Sequence, residues 1–142
     1  MNFKNILKIV LLISVVSLTF YSCQKDDQTD PNPSTSTADR DKFLGTWSTQ
    51  SNGTSGPLSF NMTITAGASS ASQIKISNFD NEGTGTFVLA EVSGNSVTLT
   101  PTLIGNDNIT GSGTYNSNNT LSFSYTISDG QTVDTRTASA HK

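Results

Sequence analysis

The chain has few side chains that could perform acid–base or nucleophilic chemistry. His141 is the only histidine and is the penultimate residue, which we expect to be frayed, and Cys23 is the only cysteine. Ser–His pairs, Cys–His pairs and zinc sites each need such groups to converge with partners. We therefore expect no catalytic residues and no enzymatic activity.

Carboxylates remain as candidates for acid–base chemistry or cation binding. Asp80 and Glu82 share one turn with Asn81, and Asp107 lies beside Asn106 in another. Oxygen ligands of this kind bind calcium, but neither segment has the carboxylate density of a calcium loop. Because Asp and Asn are also common turn residues, we expect solvated loop acids, with no metal site and no cofactor.

Cys23 suits a different chemistry, the attachment of lipid. Lys4 and Lys8 precede the apolar stretch from Ile9 to Phe20, and together they form the n-region and h-region of an export signal. At about 1.5 Å per residue the apolar stretch reaches about 18 Å, short of the roughly 30 Å hydrocarbon core of a bilayer. A permanent transmembrane helix is therefore not expected. A lone cysteine in an exported protein also has no intramolecular disulfide partner.

The segment Tyr21-Ser22-Cys23 resembles the lipobox cut by bacterial lipoprotein signal peptidase, with the looser residues at Phe20 and Tyr21 that occur in Bacteroidetes. The resemblance implies that residues 1–22 are a signal peptide and that Cys23 carries the lipid anchor. Two or more acyl chains hold a protein stably at a membrane. The alternative is an ordinary secretory signal followed by an incidental cysteine.

The next residues, Gln24, Lys25, Asp26 and Asp27, resemble the lipoprotein export signal of Bacteroidetes. This resemblance implies an outer-membrane lipoprotein that faces the cell exterior. The alternative is a solvated tether whose charges only avoid the membrane. Residues 23–41 are polar and contain Pro31 and Pro33, so we expect a disordered tether, with one helical turn at 38–43 capped by Thr37.

Residues 42–142 are long enough for one domain with a single core. Acidic side chains outnumber basic ones from Phe43 onward, which disfavours a polyanionic partner. Nucleic acid is therefore not expected as a partner. The membrane, through Cys23, is the one partner that the sequence predicts.

Apolar residues alternate with Ser and Thr at a period of two, which indicates strands with one buried face. The pattern is clearest at Leu58–Ile64 and Leu121–Ile127, and is shorter at Ile74–Ile76 and Val97–Leu99. Seven turn segments separate eight strands, and they begin at Ser51, Gly67, Asp80, Gly94, Gly105, Ser117 and Asp129. Gly83–Gly85 and Gly111–Gly113 are interpreted as bends or bulges.

Short connections throughout favour an all-β, eight-stranded antiparallel up-and-down meander that closes into a barrel. The alternative is an immunoglobulin-like β-sandwich, because Tyr125–Gly130 followed by an alternating strand resembles the last hairpin of such domains. Pairing of the first strand with the last would decide between the two architectures.

The segment Phe43-Leu44-Gly45-Thr46-Trp47 resembles the Gly-x-Trp signature that opens lipocalin-like (calycin) barrels. The domain as a whole is similar to small lipocalin-like lipoproteins of Bacteroidetes. The resemblance implies that Trp47 closes one barrel end, often stacked on an arginine near the last strand, where Arg136 lies. Alternation puts Arg136 on the face opposite Val133, so this pairing requires a bulge or fails.

About twenty bulky side chains are candidates for the barrel interior, which favours a filled lumen without a large cavity. Among them are Trp47, Phe60, Met62, Ile64, Ile76, Phe87, Leu89, Leu99, Tyr115, Phe123, Tyr125 and Ile127. Two functional classes stay open. One is a binding protein for a small molecule, or for a glycan or peptide on the outer face; the other is an interaction module, such as an inhibitor or an accessory subunit of a surface complex.

Overall fold

The computed structural model describes residues 37–142. The predicted signal peptide, Cys23, the predicted export signal at residues 24–27 and most of the predicted tether lie outside the described residues. Within 37–142, no helix is long and apolar enough to cross a membrane. The chain forms a short helix, α1, and eight strands: α1 Thr37–Asp41, β1 Gly45–Gly53, β2 Gly56–Ala66, β3 Gln73–Ser77, β4 Phe87–Ser93, β5 Ser96–Ile104, β6 Asp107–Asn116, β7 Thr120–Ser128 and β8 Val133–His141.

The strands form a closed antiparallel barrel in sequence order. Each strand pairs with the next, and β1 also pairs with β8 from Ser48↔His141 to Gly53↔Arg136. The pairing of the first strand with the last confirms the up-and-down barrel and excludes the sandwich.

Alternate strands of a meander run in opposite directions, so its connections fall at two ends. The β2–β3, β4–β5 and β6–β7 connections share one end with α1, and we call this the closed end. At the opposite end, which we call the open end, lie the β1–β2, β3–β4, β5–β6 and β7–β8 connections.

Side chains alternate between the core and solvent along each strand, as the sequence pattern predicts. In β2, Phe60, Met62 and Ile64 are buried while Asn61 and Thr63 between them are exposed. The buried apolar side chains form one continuous cluster. Hydrophobic burial from all eight strands therefore holds the barrel together.

The prediction that Phe87 and Leu89 point inward is wrong. Val88, Ala90 and Val92 are the buried residues of β4, and Phe87 is 42% exposed. This strand is apolar on both faces, so its composition could not decide which face is buried. Lys75 compensates for the exposure of Phe87, because its Nζ lies 4.3 Å from the ring centroid.

In β8, the inward face is the one that carries Arg136. Arg136 is 4% exposed and shares its face with Ala138 and Ala140, whereas Val133 is 62% exposed. The β7–β8 register is continuous over Val133–His141, so Arg136 reaches the interior without a bulge. His141 is not frayed, because it pairs with both neighbouring strands.

Two glycines of β6 make room for aromatic residues of β7. Gly113 lies opposite Phe123 and Gly111 opposite Tyr125. A Cβ on Gly113 would lie 2.6 Å from the Phe123 ring. The register shift that accompanies this region is in the β5–β6 ladder, between Leu99 and Thr102, so the expected irregularity falls on the neighbouring strand.

Candidate functional site at the open end of the barrel

The closed end of the barrel is filled by aromatic residues. Trp47 is fully buried, and its Nε1 donates a hydrogen bond of 2.7 Å to the carbonyl of Phe43. The rings of Phe43 and Tyr115 meet edge to face at 5.6 Å, and those of Trp47 and Tyr115 at 6.4 Å. The indole is thus enclosed by aromatic neighbours at this end.

The Trp–Arg stack implied by the calycin resemblance does not form. Arg136 pairs in register with Gly53, six residues from Trp47 along β1, or roughly 20 Å at the rise of a strand. Lys142 takes the cationic position, with its Nζ 4.6 Å from the Trp47 ring centroid. The correction follows from strand direction: β8 starts at the open end, so a residue near its start lies far from Trp47.

At the open end, the β3–β4 connection folds into the barrel. The short strands β3 and β4 pair only with the parts of β2 and β5 nearer the closed end. We call Asn78–Glu82, which contains a 3₁₀ helix at Phe79–Asn81, the plug. Its residues Asn78, Asp80 and Asn81 have φ values of 57°, 53° and 67°, a left-handed conformation that Asn and Asp tolerate better than most residues.

The Asn78 side chain fixes the plug to the barrel wall. Its Nδ2 donates to the carbonyl of Asn61 at 2.8 Å, and its Oδ1 accepts from the backbone N–H of Gly83 at 2.9 Å. Phe79 consequently packs inside the barrel, with ring centroids 5.6 Å from Phe123 and 4.8 Å from Tyr125. The plug thus separates the apolar core from the open end.

Asp80 lies at the centre of a buried polar network. Its Oδ1 accepts hydrogen bonds from the Tyr125 hydroxyl at 2.5 Å and from Ser51 Oγ at 3.4 Å, and it lies 3.1 Å from Nε of Arg136. Arg136 also binds Asp134 Oδ2 at 2.7 Å. Asp80 therefore ties the plug to three strands, β1, β7 and β8.

The network shifts the pKa values of its members in different directions. Burial raises the pKa of Asp80 and outweighs the lowering by Tyr125 and Arg136. Burial and the bond to Asp80 raise the pKa of Tyr125, so its hydroxyl stays protonated and donates. Hydrogen bonds from Ser55, Arg136 and Thr54 lower the pKa of the Asp134 carboxyl.

Above this network the barrel has a cavity of about 370 Å³, within the size range of small-molecule pockets. Pro57, Leu58 and Ile127 give it an apolar wall. Its lining also carries five carboxylates and one guanidinium: Asp80, Glu82, Asp107, Asp129, Asp134 and Arg136.

The structure brings together acids that the sequence analysis treated separately. Asp80 and Glu82 from the plug face the same cavity as Asp107 from the start of β6. In the described range, no three His, Cys, Asp or Glu side chains are arranged to hold one metal ion. What the arrangement offers is a concave, strongly anionic surface with an apolar wall.

The sequence did not identify Asp129 and Asp134 as candidate site residues. It also did not place Arg136 at the open end. The meander topology could have indicated that these residues lie together, because every second connection of a meander returns to the same end of the barrel. The connections that follow β3, β5 and β7 each contain or adjoin an acidic residue. Listing the acids by connection would have placed Glu82, Asp107 and Asp129 together.

Two other hollows lie on the outer face of the sheet. One, of about 240 Å³, is lined by residues of β1 and β2 such as Gln50 and Asn61. The other, of about 370 Å³, is lined by β1, β7 and β8 residues such as Asn52 and Ser139. Neither hollow has a charged residue in its lining, whereas the open-end cavity has six.

Comparison with known proteins supports the fold. No protein-family model and no curated protein sequence matches the chain. Among solved structures, the chain is similar to EF1p2_mFAP2b bound to DFHBI, with a TM-score of 0.53 and 12% identity over 75% of this chain and 98% of that one. It is also similar to a redesigned β-barrel, b11L5F_LGL, with a TM-score of 0.48 and 16% identity over 73% of this chain and 94% of that one. The first of these likenesses agrees with the closed eight-stranded antiparallel barrel of the described residues.

Proposed function

We propose that this protein is a non-enzymatic, lipid-anchored envelope protein whose barrel binds a small molecule in the open-end cavity. The observation that carries the proposal is the asymmetry of the two barrel ends. Aromatic packing fills the closed end, while the open end has a cavity with an apolar wall and charged groups that converge on it. Such a combination is typical of small-molecule sites.

The path of the chain supports a ligand site that faces away from the anchor. The chain enters the barrel through α1, which contacts β4. Lys42, just after α1, donates a hydrogen bond from its Nζ to Asn95 in the β4–β5 turn at the closed end. The described chain therefore begins at the closed end, opposite the cavity. The likeness to a barrel bound to DFHBI is consistent with this use of the fold.

The test uses the mature lipidated chain in detergent and a panel of small amines, alcohols, sugars and carboxylic acids, with binding detected by ligand-observed NMR. Ile127→Trp places a large side chain in the cavity wall and should abolish the binding of whichever compound binds the parent. Leu103→Trp is the matched control, because Leu103 is 69% exposed on the outside of β5 near the same end. If both variants bind like the parent, the cavity is not the site. If no compound binds the parent, the proposal is wrong for these ligand classes.

A further inference from the structure

We infer that the plug is a displaceable lid, and that an aromatic ring of a ligand takes the place of Phe79 inside the barrel when the plug is displaced. This second site lies in the apolar core below the plug, whereas the open-end cavity lies above the buried polar network. Binding at the second site does not require a ligand in the open-end cavity, so the inference goes beyond the proposed function.

The plug lies at a gap in the wall of the barrel. β3 pairs with β2 only over residues 63–66, and β4 pairs with β5 only over residues 96–99. In the described structure, residues 56–62 of β2 and 100–104 of β5 therefore have no strand partner on the side of the β3–β4 connection. The plug can move away from this part of the wall without breaking a strand pair.

The backbone of the plug hydrogen-bonds only within its own connection. Among the described residues, its backbone-to-backbone bonds run from the N–H of Asn78 to the carbonyl of Thr86, from Asn81 to Asn78, and from Glu82 to Phe79. None of these bonds joins the plug to a neighbouring strand. A single helical turn does not hold its own bonds outside a folded context, so we expect the plug to open locally when it leaves the barrel.

The closed position of the plug is also strained. Asn78, Asp80 and Asn81 all have left-handed backbone conformations, which cost free energy even for Asn and Asp. Such strain persists only where the surrounding contacts impose it. Displacement of the plug would allow these three residues to relax.

The polar network holds the plug less firmly than its bonds suggest. Burial raises the pKa of Asp80 and outweighs the effects of Tyr125 and Arg136, which means that the carboxylate loses much hydration in the closed position. A complete buried ion pair contributes little net stability for this reason. On displacement, water would hydrate Asp80, while Arg136 would keep its bond of 2.7 Å to Asp134.

Phe79 is the attachment that a ligand can replace. Its side chain is buried, and its ring meets the rings of Phe123 and Tyr125 edge to face. Withdrawal of this ring alone would leave an apolar space whose lining loses its contacts. A ligand with an aromatic ring would restore the edge-to-face contacts, whereas a saturated ring of the same size would not. The ligand and Phe79 would therefore exclude each other.

Native-state hydrogen exchange of the full mature chain in detergent, read by mass spectrometry, tests whether the plug opens. We expect the amides of Asn81 and Glu82 to exchange through a local opening that urea below the unfolding transition does not promote. The amides of β7 should exchange only by global unfolding, which urea promotes. If the plug amides show the same urea dependence as those of β7, the plug opens only when the barrel unfolds and the inference is wrong.

Phenol is the probe for the site, and cyclohexanol is the matched control because it has the same size and the same hydroxyl group but no aromatic ring. A ligand that replaces Phe79 favours the open plug and also stabilises the folded barrel. Phenol should therefore speed the exchange of the plug amides and slow that of the β7 amides, and cyclohexanol should do neither. Phenol that slows both sets, or leaves the plug unchanged, would overturn the inference. An equal effect of cyclohexanol would overturn the assignment of an aromatic ligand.

Asn78→Asp links plug opening to affinity. The carboxylate can still accept from the N–H of Gly83, but it cannot donate to the carbonyl of Asn61. Loss of this bond makes opening easier, so the variant should bind phenol about five- to tenfold more tightly than the parent. Asn118→Asp is the matched control, because Asn118 has a φ of 77° in the β6–β7 turn at the closed end. It should leave the affinity unchanged. Equal affinities of the parent and Asn78→Asp, or an equal gain in Asn118→Asp, would contradict the lid.

Discussion

At the residue scale, Trp47 combines a large apolar area with one satisfied donor. Its ring is buried among closed-end aromatics, and its Nε1 proton is used by the carbonyl of Phe43. A buried hydrogen-bond donor without a partner lowers the stability of the folded state. The bond to Phe43 avoids this penalty for the buried indole. Phe43 itself is fully buried and thereby joins the entry segment to the barrel.

Trp47→Ala should lower the free energy of unfolding by about 3 to 5 kcal/mol, because it deletes a large buried aromatic that its neighbours cannot replace. Urea unfolding measures the loss. Leu103→Ala, at a position that is 69% exposed, is the control and should change stability by no more than about 0.5 kcal/mol. In the parent, emission from this single Trp should be blue-shifted. An unchanged urea midpoint in Trp47→Ala would show that Trp47 does not hold the closed end.

The environment of Asp134 allows a prediction of how the stability of the fold depends on pH. Hydrogen bonds lower its pKa in the folded state, so its stabilising effect is present above the ordinary Asp pKa of 3.8 and is lost as the pH falls below that value. Burial raises the pKa of Asp80, so Asp80 acts in the opposite direction and favours folding on acidification. The two carboxylates therefore have opposing effects.

Asp134→Asn should consequently reduce the loss of stability on acidification. The measurement is the urea midpoint between about pH 5 and pH 3, where carboxylates of this type titrate. Asp107→Asn is the matched control, because the Asp107 carboxylate accepts no hydrogen bond from the described residues. Equal slopes for Asp134→Asn and the parent would contradict the prediction.

At the scale of elements, the plug decides what the interior of the barrel contains. Phe79 packs against Phe123 and Tyr125 on the open-end side of the apolar core. Next to it, Asp80 forms a buried ion pair with Arg136. Buried ion pairs contribute little net stability when complete, but they are costly when one partner is removed. Arg136 and Asp80 should therefore behave as a unit.

Arg136→Met should cost about 3 to 5 kcal/mol, because it leaves the Asp80 carboxylate buried without its cation. Asp80→Asn should cost less, since Asp134 still binds Arg136. The double variant Asp80→Asn/Arg136→Met should be more stable than Arg136→Met alone. Urea midpoints of the four proteins give the coupling energy. Additive effects would mean that the two side chains do not interact as the network indicates.

At the scale of the whole molecule, barrel closure pairs every strand of the described region with two neighbours, which limits the strand edge available for edge-to-edge association. The domain also places its cavity and its chain entry at opposite ends. This arrangement is compatible with the proposed lipid anchor at Cys23.

If Cys23 is the proposed lipidation site, Cys23→Ser should leave the precursor uncleaved and without lipid, because it removes the thiol that would accept the diacylglycerol. Detergent phase partitioning and the size of the product on a gel measure this. Ser22→Ala, which keeps a small residue before the cysteine, is the control and should be processed. Mature-sized protein that still partitions into detergent after Cys23→Ser would show that the anchor is elsewhere.

If residues 24–27 act as the proposed export signal, replacing Lys25, Asp26 and Asp27 with Ala should retain the protein at the periplasmic face while leaving it lipidated. Antibody labelling of intact cells, compared with lysed cells, measures surface exposure. Changing Gln28 and Thr29 to Ala instead is the control for altered tether composition. Equal labelling of the triple variant and the parent would remove the surface assignment.

The sequence by itself determined the number of strands, the positions of the main turns and most of the buried face. These are local properties: alternation at period two marks a half-buried strand, and Gly, Asn and Asp mark turns. The burial of Phe60, Met62 and Ile64 in β2 followed directly from that pattern. In β4, where Phe87 and Val88 are both apolar, the pattern could not decide.

Only the tertiary structure decided the candidate site. The cavity is lined by residues from the plug and from the β1–β2, β5–β6 and β7–β8 regions, and nothing local shows that these lie at one end. Arg136 became a partner of Asp80 and not of Trp47 because strand direction and register fix its height in the barrel. The inward fold of the plug likewise depends on short pairing of β3 and β4 with their neighbours. Closure of the barrel sets the contacts between distant segments. Alternation at period two predicts that strands pair, but it does not specify the register in which they pair.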